Sequence, residues 1–408
     1  MPGDVRARQR TGAGCGLLLV LVLAAVLPGS LPGGRPGGGC RALTGGHWSA
    51  DAALTGAFAR YGDDSSRTDD WTGGDGTHSV RLPDGRVLWL FSDTYLGQVH
   101  APPGPSGESA AWRDASAPLV RNSAVVMDAD GRLVRTLAAP LFPDPGPGQW
   151  RWPVAARVEP RSPGSAESVV RVLLWVRTAG APPWIYGVPS ATEVATLSLP
   201  GLRLESVVPV LDQRLVPDPA RRVLFGTALV AAGEWTYVFG GDDRRAVGRP
   251  VSYAYAARVE RGRLADPGAW RYWDGSAWVA GARSLRPVLG DGRARGVGSA
   301  FSVVRDGGTY LLFTMAGGAR GLTTVTSYWA CSPTGPWHGP GGDFAVPLPG
   351  GAVAAYNPQV HPALGGGGRL VLSYDVNRLD AANVPAAVSG EVSLYRPRFV
   401  TVRPGPPG

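Results

Sequence analysis

The sequence contains no lysine, so all 40 of its basic residues are arginine, against 32 acidic residues. Cysteine is scarce, with three among 408 residues, and charged residues make up only 18%. The arginines are spread along the chain without a run of four or more, and exclusive use of arginine is typical of a genome of high GC content. We therefore interpret the net charge of +8 as a solvated basic surface and predict no nucleic-acid partner.

Past residue 45 the chain also lacks convincing helical periodicity, while 59 glycines and 38 prolines occur throughout it. Long helices tolerate that composition poorly, whereas short strands joined by tight turns require it. Cys/His clusters, phosphate loops, serine-nucleophile elbows and metalloprotease helices are missing from the sequence. These absences argue against several common enzyme classes and favour an all-β domain, for which we predict no cofactor and no metal ligands. An axial Ca²⁺ stays open as an alternative.

The N-terminus has the pattern of a secretory signal peptide. Arg6, Arg8 and Arg10 form a positive segment, and the apolar run over residues 17–27 has the length of a signal core. We predict a signal peptide over residues 1–28, a Gly/Pro-rich linker over 29–45 and an extracellular protein without membrane contact beyond the signal segment. An uncleaved membrane anchor is the alternative, for which the apolar run is short.

Cys15 lies within this signal segment, whereas Cys40 and Cys331 could both belong to the mature chain. In an oxidising compartment the latter two could pair and tie the N-terminus to a late part of the domain. Lipid modification of Cys40 is the rival interpretation. Three glycines precede it where a lipidation signal needs an aliphatic residue.

A unit of four short strands recurs five times at a spacing of roughly 60 residues. The second strand is the most alike across the copies: LWLFSDT, VLLWVRT, TYVFGGDD, YLLFTMA and LVLSYDV. The repeat predicts a single-domain, all-β, five-bladed β-propeller over residues 46–402, with a pair of β-sandwiches as the alternative. The fifth copy is one strand short, and we expect residues 53–61 to supply that strand and close the ring. Residues 403–408 are predicted to be a disordered tail, and the protein to be a monomer.

The first strands of propeller blades line a central channel, so ligand-binding groups come from their entries and from loops after the second strands. Unusual polar residues occupy those positions. The predicted catalytic residues are Asp75, Asp93 and Asp242, and the predicted substrate-binding residues are His78, Asn122, Trp152, Asn357, His361, Asp375 and Asn377. Each has a structural alternative, because aspartates cap turns and tryptophans fill cores. Carboxylates beside aromatic rings suit carbohydrate, and glycoside hydrolysis needs two carboxyl groups.

Several strings resemble a known group of secreted proteins: GGDGTHSVRLPDGRVLWLFSDTYLG, RNSAVV, VGSAFSVV, SPTGPW and YNPQVHP with LVLSYDVN. These actinobacterial and Bacteroidetes proteins carry a five-bladed domain of unknown function, and the resemblance spans about residues 71–377. The group is similar to five-bladed glycoside hydrolases such as arabinanases, β-xylosidases and D-arabinan-cleaving enzymes. The resemblance implies a catalytic aspartate at the entry of the first blade, where Asp75 stands, and further acids at later entries.

The sequence departs from this resemblance at two entries. Val154 follows Trp152 and Pro153 where an acid is expected, and Ala300 stands where a glutamate is expected. Asp75 would then be the base or nucleophile, and the general acid would come from Asp93, Asp242, Asp243 or Glu159.

Two functions remain open on the sequence. The leading hypothesis is an extracellular glycoside hydrolase acting on a furanose-containing or other cell-wall polysaccharide or oligosaccharide. The alternative is a glycan-binding propeller that has lost catalysis.

Overall fold

A computed structural model describes residues 39–64, 66–67, 70–105, 107, 109–350, 352–379 and 384–407. The predicted signal peptide over residues 1–28 and most of the predicted linker therefore lie outside the described residues. Strands dominate the described part, as the composition predicts, and no helix within it is long and apolar enough to cross a membrane. The expectation of an all-β protein is confirmed.

The strands are short and follow one another closely along the chain. Those of the first half are β1 (Thr44–Ala50), β2 (Asp70–Gly74), β3 (His78–Arg81), β4 (Val87–Phe91), β5 (Thr94–Gly97), β6 (Leu119–Val120), β7 (Ser123–Met127), β8 (Leu133–Thr136), β9 (Gln149–Pro160), β10 (Ser168–Thr178), β11 (Val188–Leu197) and β12 (Leu204–Asp212). Those of the second half are β13 (Leu224–Ala232), β14 (Trp235–Gly241), β15 (Ala254–Glu260), β16 (Arg271–Trp273), β17 (Trp278–Val279), β18 (Ser302–Asp306), β19 (Thr309–Met315), β20 (Thr324–Ala330), β21 (His338–Ala345), β22 (Val353–Val360), β23 (Leu370–Arg378) and β24 (Arg398–Gly405). Helices α1 and α2 span Ala52–Asp63 and Val384–Gly390.

The described strands form six antiparallel sheets. We call five of them the first to fifth sheets: β3-β4-β7-β8, β12-β11-β10-β9, β13-β14-β15-β16-β17, β18-β19-β20-β21 and β1-β24-β23-β22. A smaller sheet, β2-β5-β6, accompanies the first. Strands that are neighbours in the second, third and fourth sheets are also neighbours along the chain, because short turns connect them. Four of these five sheets have four strands, as the predicted repeat requires, and the third has five.

Hydrophobic clusters lie between successive sheets, because the second strand of each sheet carries apolar side chains on both faces. Strand β10, for example, is buried over all but its terminal residues. Five clusters join the sheets in the order first–second, second–third, third–fourth, fourth–fifth and fifth–first, represented by the pairs Leu90 and Leu174, Leu173 and Phe225, Phe239 and Leu312, Phe313 and Leu372, and Phe91 and Phe399.

The prediction that residues 53–61 form a strand is wrong, because this segment belongs to helix α1. The Asp51 side chain accepts a hydrogen bond from the Leu54 N–H at 3.0 Å and caps the first turn. Leu54, Phe58 and Tyr61 recur at helical spacing, and the latter two are buried. The strand that completes the fifth sheet lies earlier, at β1, and pairs with β24.

Pairing of β1 with β24 also corrects the predicted tail. Thr44 lies opposite Gly405 and His47 opposite Arg403, so the last strand extends into residues 403–405. Cys40, just before β1, forms a disulfide with Cys331, whose Cα atom lies 5.4 Å from its own. The pairing left open by the sequence is thereby confirmed, and Cys40 retains no thiol for lipid modification.

Candidate functional site

A cavity of about 590 Å³ is lined by residues of the first, second, fourth and fifth sheets and by the segment that follows β14 of the third sheet. Aromatic rings form much of its wall: Tyr95, Trp152, Trp175, Trp184, Tyr186, Tyr356 and Tyr395. Among the described residues, the acids that line it are Asp75, Asp93 and Asp243. The cavity thus combines apolar faces with a few carboxyl groups, which is the usual composition of a small-molecule site.

Asp75 and Asp93 are neighbours because two backbone hydrogen bonds join the segment before β3 to the end of β4. The Asp75 N–H donates to the Asp93 carbonyl at 3.2 Å, and the Ser92 N–H donates to the Asp75 carbonyl at 2.7 Å. Gly76 has φ +67, and a Cβ there would lie 2.2 Å from the Ser92 Oγ, so the turn requires glycine. Both aspartates predicted from this part of the sequence therefore reach the same cavity.

The Asp75 carboxyl is surrounded by groups that oppose its ionisation. Burial raises its pKa well above the ordinary value, and the nearby Asp93 and Asp375 carboxyls raise it further. The Tyr356 hydroxyl donates to Asp75 Oδ2 at 2.8 Å, and hydrogen bonding from Tyr356 and Tyr395 offsets part of the rise. Its surroundings therefore favour the proton-bound form of Asp75 more than those of an exposed aspartate do.

The Asp93 carboxyl has different partners. Arg121 donates to Oδ2 at 3.0 Å, and the Trp152 indole N–H donates to Oδ1 at 2.8 Å. The pKa of Asp93 is raised overall, because burial outweighs the Arg121 charge and the two hydrogen bonds, which lower it. Asp93 nevertheless has a cationic partner in Arg121, whereas the charged neighbours of Asp75 are two acids.

Asp375 holds the Asp75 turn from behind the cavity wall. Its Oδ2 accepts from the Gly76 N–H at 2.9 Å and from Asn357 Nδ2 at 2.8 Å, and its Oδ1 accepts from the Thr77 hydroxyl at 2.8 Å. Burial raises the pKa of Asp375 to about 6, against the effect of these hydrogen bonds. The structure therefore places this predicted binding residue in a positioning role.

Several predicted binding residues do line the cavity, namely His78, Trp152, Asn357 and Asn377. Asn357 has φ +52, in the left-handed region that asparagine tolerates better than most residues. Burial lowers the pKa of His78 to about 3, so its imidazole is neutral at physiological pH. These residues offer hydrogen-bonding groups without positive charge.

His361 is fully buried and does not line the cavity, contrary to its predicted binding role. Its Nδ1 and Nε2 each lie 2.8 Å from a hydroxyl, of Ser79 and Ser373 respectively. Its ring packs 4.8 Å from the Trp89 ring. Both ring nitrogens are therefore engaged within the core, which leaves neither for a ligand.

Asn122 and Asp242 are likewise placed away from the cavity. The Asn122 amide bonds backbone groups of Phe142 and Arg151, joining the first sheet to the second. Asp242 is buried, and accepts from the Arg244 Nε at 2.8 Å and from two further donors. Both side chains use their hydrogen-bonding groups to hold the structure together. Asp242 does not reach the cavity, which argues against its predicted catalytic role.

Its neighbour Asp243 does line the cavity, but its Oδ2 accepts from Arg177 at 2.6 Å. Val154 and Ala300 line the cavity as well, at the positions where the resemblance implies acids. Asp243 is therefore held in a buried ion pair with Arg177. Among the described residues of the wall, this leaves Asp75 and Asp93 as the carboxyl groups that a ligand could reach.

Tyr356 and Tyr395 are the main site residues that the sequence analysis missed. Strand alternation would place Tyr356 and Asn357 on opposite faces, yet both line the cavity. The pairing of β22 with β23 shifts register between Tyr356 and Gln359, and such a bulge redirects side chains. The sequence YNPQ, with a proline inside a strand, is the signal that could have indicated the bulge.

Among the residues that the structure describes, no group of three or more His, Cys, Asp or Glu side chains is arranged to hold a metal ion.

Comparison with known proteins places these features in context. The family described as a domain of unknown function (DUF5005) matches residues 59–404. A comparison with curated protein sequences gives no match.

Among solved structures, that of a hydrolase candidate from Bacteroides ovatus has a TM-score of 0.63 at 18% identity, covering 88% of this chain and 91% of that chain. An α-L-arabinofuranosidase from Podospora anserina in complex with cellotriose has a TM-score of 0.46 at 12% identity, covering 84% and 93%. An α-L-arabinanase mutant from Cellvibrio cellulosa has a TM-score of 0.41 at 13% identity, covering 81% and 91%. The first likeness shows a shared fold.

Proposed function

The chain belongs to the DUF5005 family, and from that premise we propose that it is a glycoside hydrolase whose cavity binds a glycan. Asp75 and Asp93 are the two carboxyl groups that act on the glycosidic bond. One observation carries the proposal: neighbouring carboxyl groups line one aromatic cavity, and Asp93 is paired with an arginine while the charged neighbours of Asp75 are two further acids. Pairs of this kind divide the acid and base roles in glycoside hydrolysis.

The roles follow from the partners. Asp75, beside two other acids, retains its proton and can protonate the leaving-group oxygen. Asp93, held by Arg121 and Trp152, carries the charge and can act as base or nucleophile. This assignment reverses the role that the resemblance implies for Asp75, because the structure surrounds it with Asp93, Asp375 and two tyrosines.

The remaining wall suits a sugar. The rings of Trp152, Trp184 and Tyr186 offer apolar faces to the C–H groups of a pyranose or furanose. Asn357 and Asn377 can accept and donate hydrogen bonds to hydroxyl groups. The substrate class we propose is a furanose-containing or other cell-wall glycan.

We further propose that the five larger sheets are the blades of a five-bladed propeller. The support is the cyclic order of the hydrophobic clusters, in which the fifth sheet packs on the first. In this arrangement β1, from the N-terminus, completes the last blade beside β24 and covers its edge.

Export from the cell is also proposed. The Cys40–Cys331 disulfide supports it, because such bonds persist in oxidising compartments.

The test uses oligosaccharides from arabinan, xylan and galactan, with released reducing sugar as the readout. We expect at least one class to be cleaved. The roles are then tested with 4-nitrophenyl glycosides of the sugar released, whose leaving group needs little protonation. Asp75→Asn should retain most activity on the aryl glycoside while losing it on the natural linkage, whereas Asp93→Asn should lose both. Equal losses on both substrates for the two variants would contradict the assignment.

A second candidate function is glycan binding without hydrolysis. The observation that favours it is the presence of Val154 and Ala300 in the cavity wall, where a catalytic acid is expected. If calorimetry detects binding of an oligosaccharide that stays intact through prolonged incubation, the hydrolase proposal is wrong and this one replaces it.

A further inference from the structure

Arg245 is a cation in the cavity that the proposed chemistry does not use. It lies in the 3-10 helix Arg244–Val247, directly after Asp242 and Asp243, and its side chain lines the cavity. The helix is anchored by Ser252, whose Oγ accepts from the Arg245 N–H at 3.3 Å. The guanidinium therefore projects from a supported element.

The carboxylates next to Arg245 are already paired with other arginines. Asp242 binds the Arg244 Nε at 2.8 Å, and Asp243 binds Arg177 at 2.6 Å. Within the described residues, no acid lies within salt-bridge distance of Arg245. Its guanidinium contact is a long hydrogen bond of 3.4 Å to the Ala316 carbonyl. Burial lowers the pKa of Arg245, without any carboxylate acting in the opposite direction.

The wall beside this guanidinium is built from small residues. A Cβ on Gly321 would lie 2.6 Å from the Arg245 Nη2, and one on Gly298 would lie 3.6 Å from Nη1. Ser299 and Ala300 continue the wall of the same cavity. A larger side chain at Gly321 would collide with the guanidinium, so the absence of side chains here leaves room for Arg245 in the cavity lining.

The charges of the cavity do not cancel at this position. Arg177 offsets Asp243, and Arg121 offsets Asp93. The raised pKa of Asp75 favours its uncharged form, and no carboxylate of the described residues lies within salt-bridge distance of Arg245. Arg245 is therefore a positive charge that a ligand can pair with. A partly buried guanidinium gains most from a planar anion, which it can bind through two parallel hydrogen bonds.

We infer that the glycan bound in this cavity is anionic, with a carboxylate or an ester-linked oxyanion that pairs with Arg245. This inference rests on the proposed function, because it specifies the class of glycan in the same cavity. Uronic acids supply a carboxylate, and sulfated sugars supply an oxyanion of similar geometry.

The experiment is calorimetric titration of the protein with four probes: trigalacturonate, a sulfated galactan oligosaccharide, arabinotriose and xylotriose. One anionic probe should bind at least about tenfold more tightly than the neutral ones, because hydrogen bonds to charged groups are the stronger kind. Comparison of the two anionic probes distinguishes a carboxylate from a sulfate ester. Added salt should weaken only the binding of the charged probe.

The matched variants are Arg245→Gln and Arg249→Gln. Arg249 is an exposed arginine four residues on that does not line the cavity. Arg245→Gln should weaken anion binding by about tenfold to a hundredfold and change binding of neutral probes less than about threefold. Arg249→Gln should change neither. Arg245→Lys keeps the charge without the two-pronged geometry and should show an intermediate loss.

Tighter binding of neutral probes, or an equal effect of Arg245→Gln on charged and neutral probes, would overturn the inference and leave the glycan-binding proposal intact. Failure of every probe to bind would contradict both. If Arg245→Gln does not fold, Arg245→Lys replaces it, and a loss confined to the anionic probes is again the expected result.

Discussion

Acids follow the second strand in both the first and the third sheet, and each belongs to a pair that the structure treats differently. Asp93 follows β4 and meets Asp75 in the cavity, where its side chain is 20% exposed and Arg121 is 40% exposed. Asp242 and Asp243 follow β14, and the Asp242 side chain is fully buried beneath three donors. Both places read alike in the sequence, as LFSDT and VFGGDD.

The difference shows how partners decide the use of a carboxylate. A carboxylate saturated by buried donors stabilises a loop, and a ligand cannot reach its oxygens. One that shares a cavity with a second acid keeps a proton that can be transferred. The comparison can be tested by measuring both activity and stability for variants of each pair.

The largest expected effect is on activity. Asp75→Asn should lower kcat/KM on a natural glycoside by about 10²- to 10⁴-fold, because the general acid is removed while the shape of the side chain is kept. Asp242→Asn, as the control, should remain within a few-fold of the wild type. A comparable loss for both variants would mean that Asp242 acts on substrate after all.

Stability should show the opposite order. Asp242→Ala leaves the Tyr253 N–H, Arg244 and the Tyr255 hydroxyl without their acceptor, and should lower the free energy of unfolding by about 3 kcal/mol. Asp93→Ala removes a partly exposed ion pair and should cost about 1 kcal/mol or less. Urea denaturation of the two variants measures the difference, and the reverse ranking would break the comparison.

Asp375 combines features of both pairs, since it is buried like Asp242 and has a raised pKa like Asp75. Because its pKa is about 6 when folded, against 3.8 as the ordinary value, folding favours the protonated form. Its contribution to stability is therefore complete below pH 3.8 and is lost as the pH rises through about 6.

Asp375→Asn removes this dependence, so the free energy of unfolding of the variant relative to the wild type should rise by about 2 kcal/mol between pH 4 and pH 7. Urea denaturation across that range measures the difference. A constant difference would contradict the raised pKa.

The smallest expected effect is on the pH profile. Tyr356 donates to Asp75 at 2.8 Å and Tyr255 donates to Asp242 at 3.2 Å, so each pair has one tyrosine donor. Tyr356→Phe removes a hydrogen bond that favours the charged form, and should raise the pKa of Asp75 further. The alkaline limb of kcat/KM should move to higher pH, and Tyr255→Phe should leave the limb in place. A shift toward lower pH would argue against Asp75 as the acid.

Much of the fold could be predicted from local pattern. The five similar segments predicted as second strands coincide, fully or in part, with β4, β10, β14, β19 and β23. The helix over residues 52–63 was missed even though Leu54, Phe58 and Tyr61 follow helical spacing. A strand was expected there because the fifth repeat was one strand short. That argument from topology was given more weight than the helical spacing of the apolar residues.

The candidate site could be predicted only in part. Asp75, Asp93, His78, Trp152, Asn357 and Asn377 reach the cavity, because each lies near a strand end or a turn where a side chain is free to face a ligand. His361 and Asn122 carry the same kind of polar group in the same kind of place. Their partners, two serine hydroxyls and two backbone segments, absorb them into the core.

The sequence by itself determined the all-β class, the four-strand repeat and the two cysteines able to pair, because each depends on composition, turns or spacing along the chain. Only the tertiary structure decided which acids share a cavity and which are saturated. Asp75 receives its tyrosine donor from 281 residues away, and Arg177 reaches Asp243 across 66 residues. Protonation depends on such through-space neighbours, and a local pattern contains no information about them.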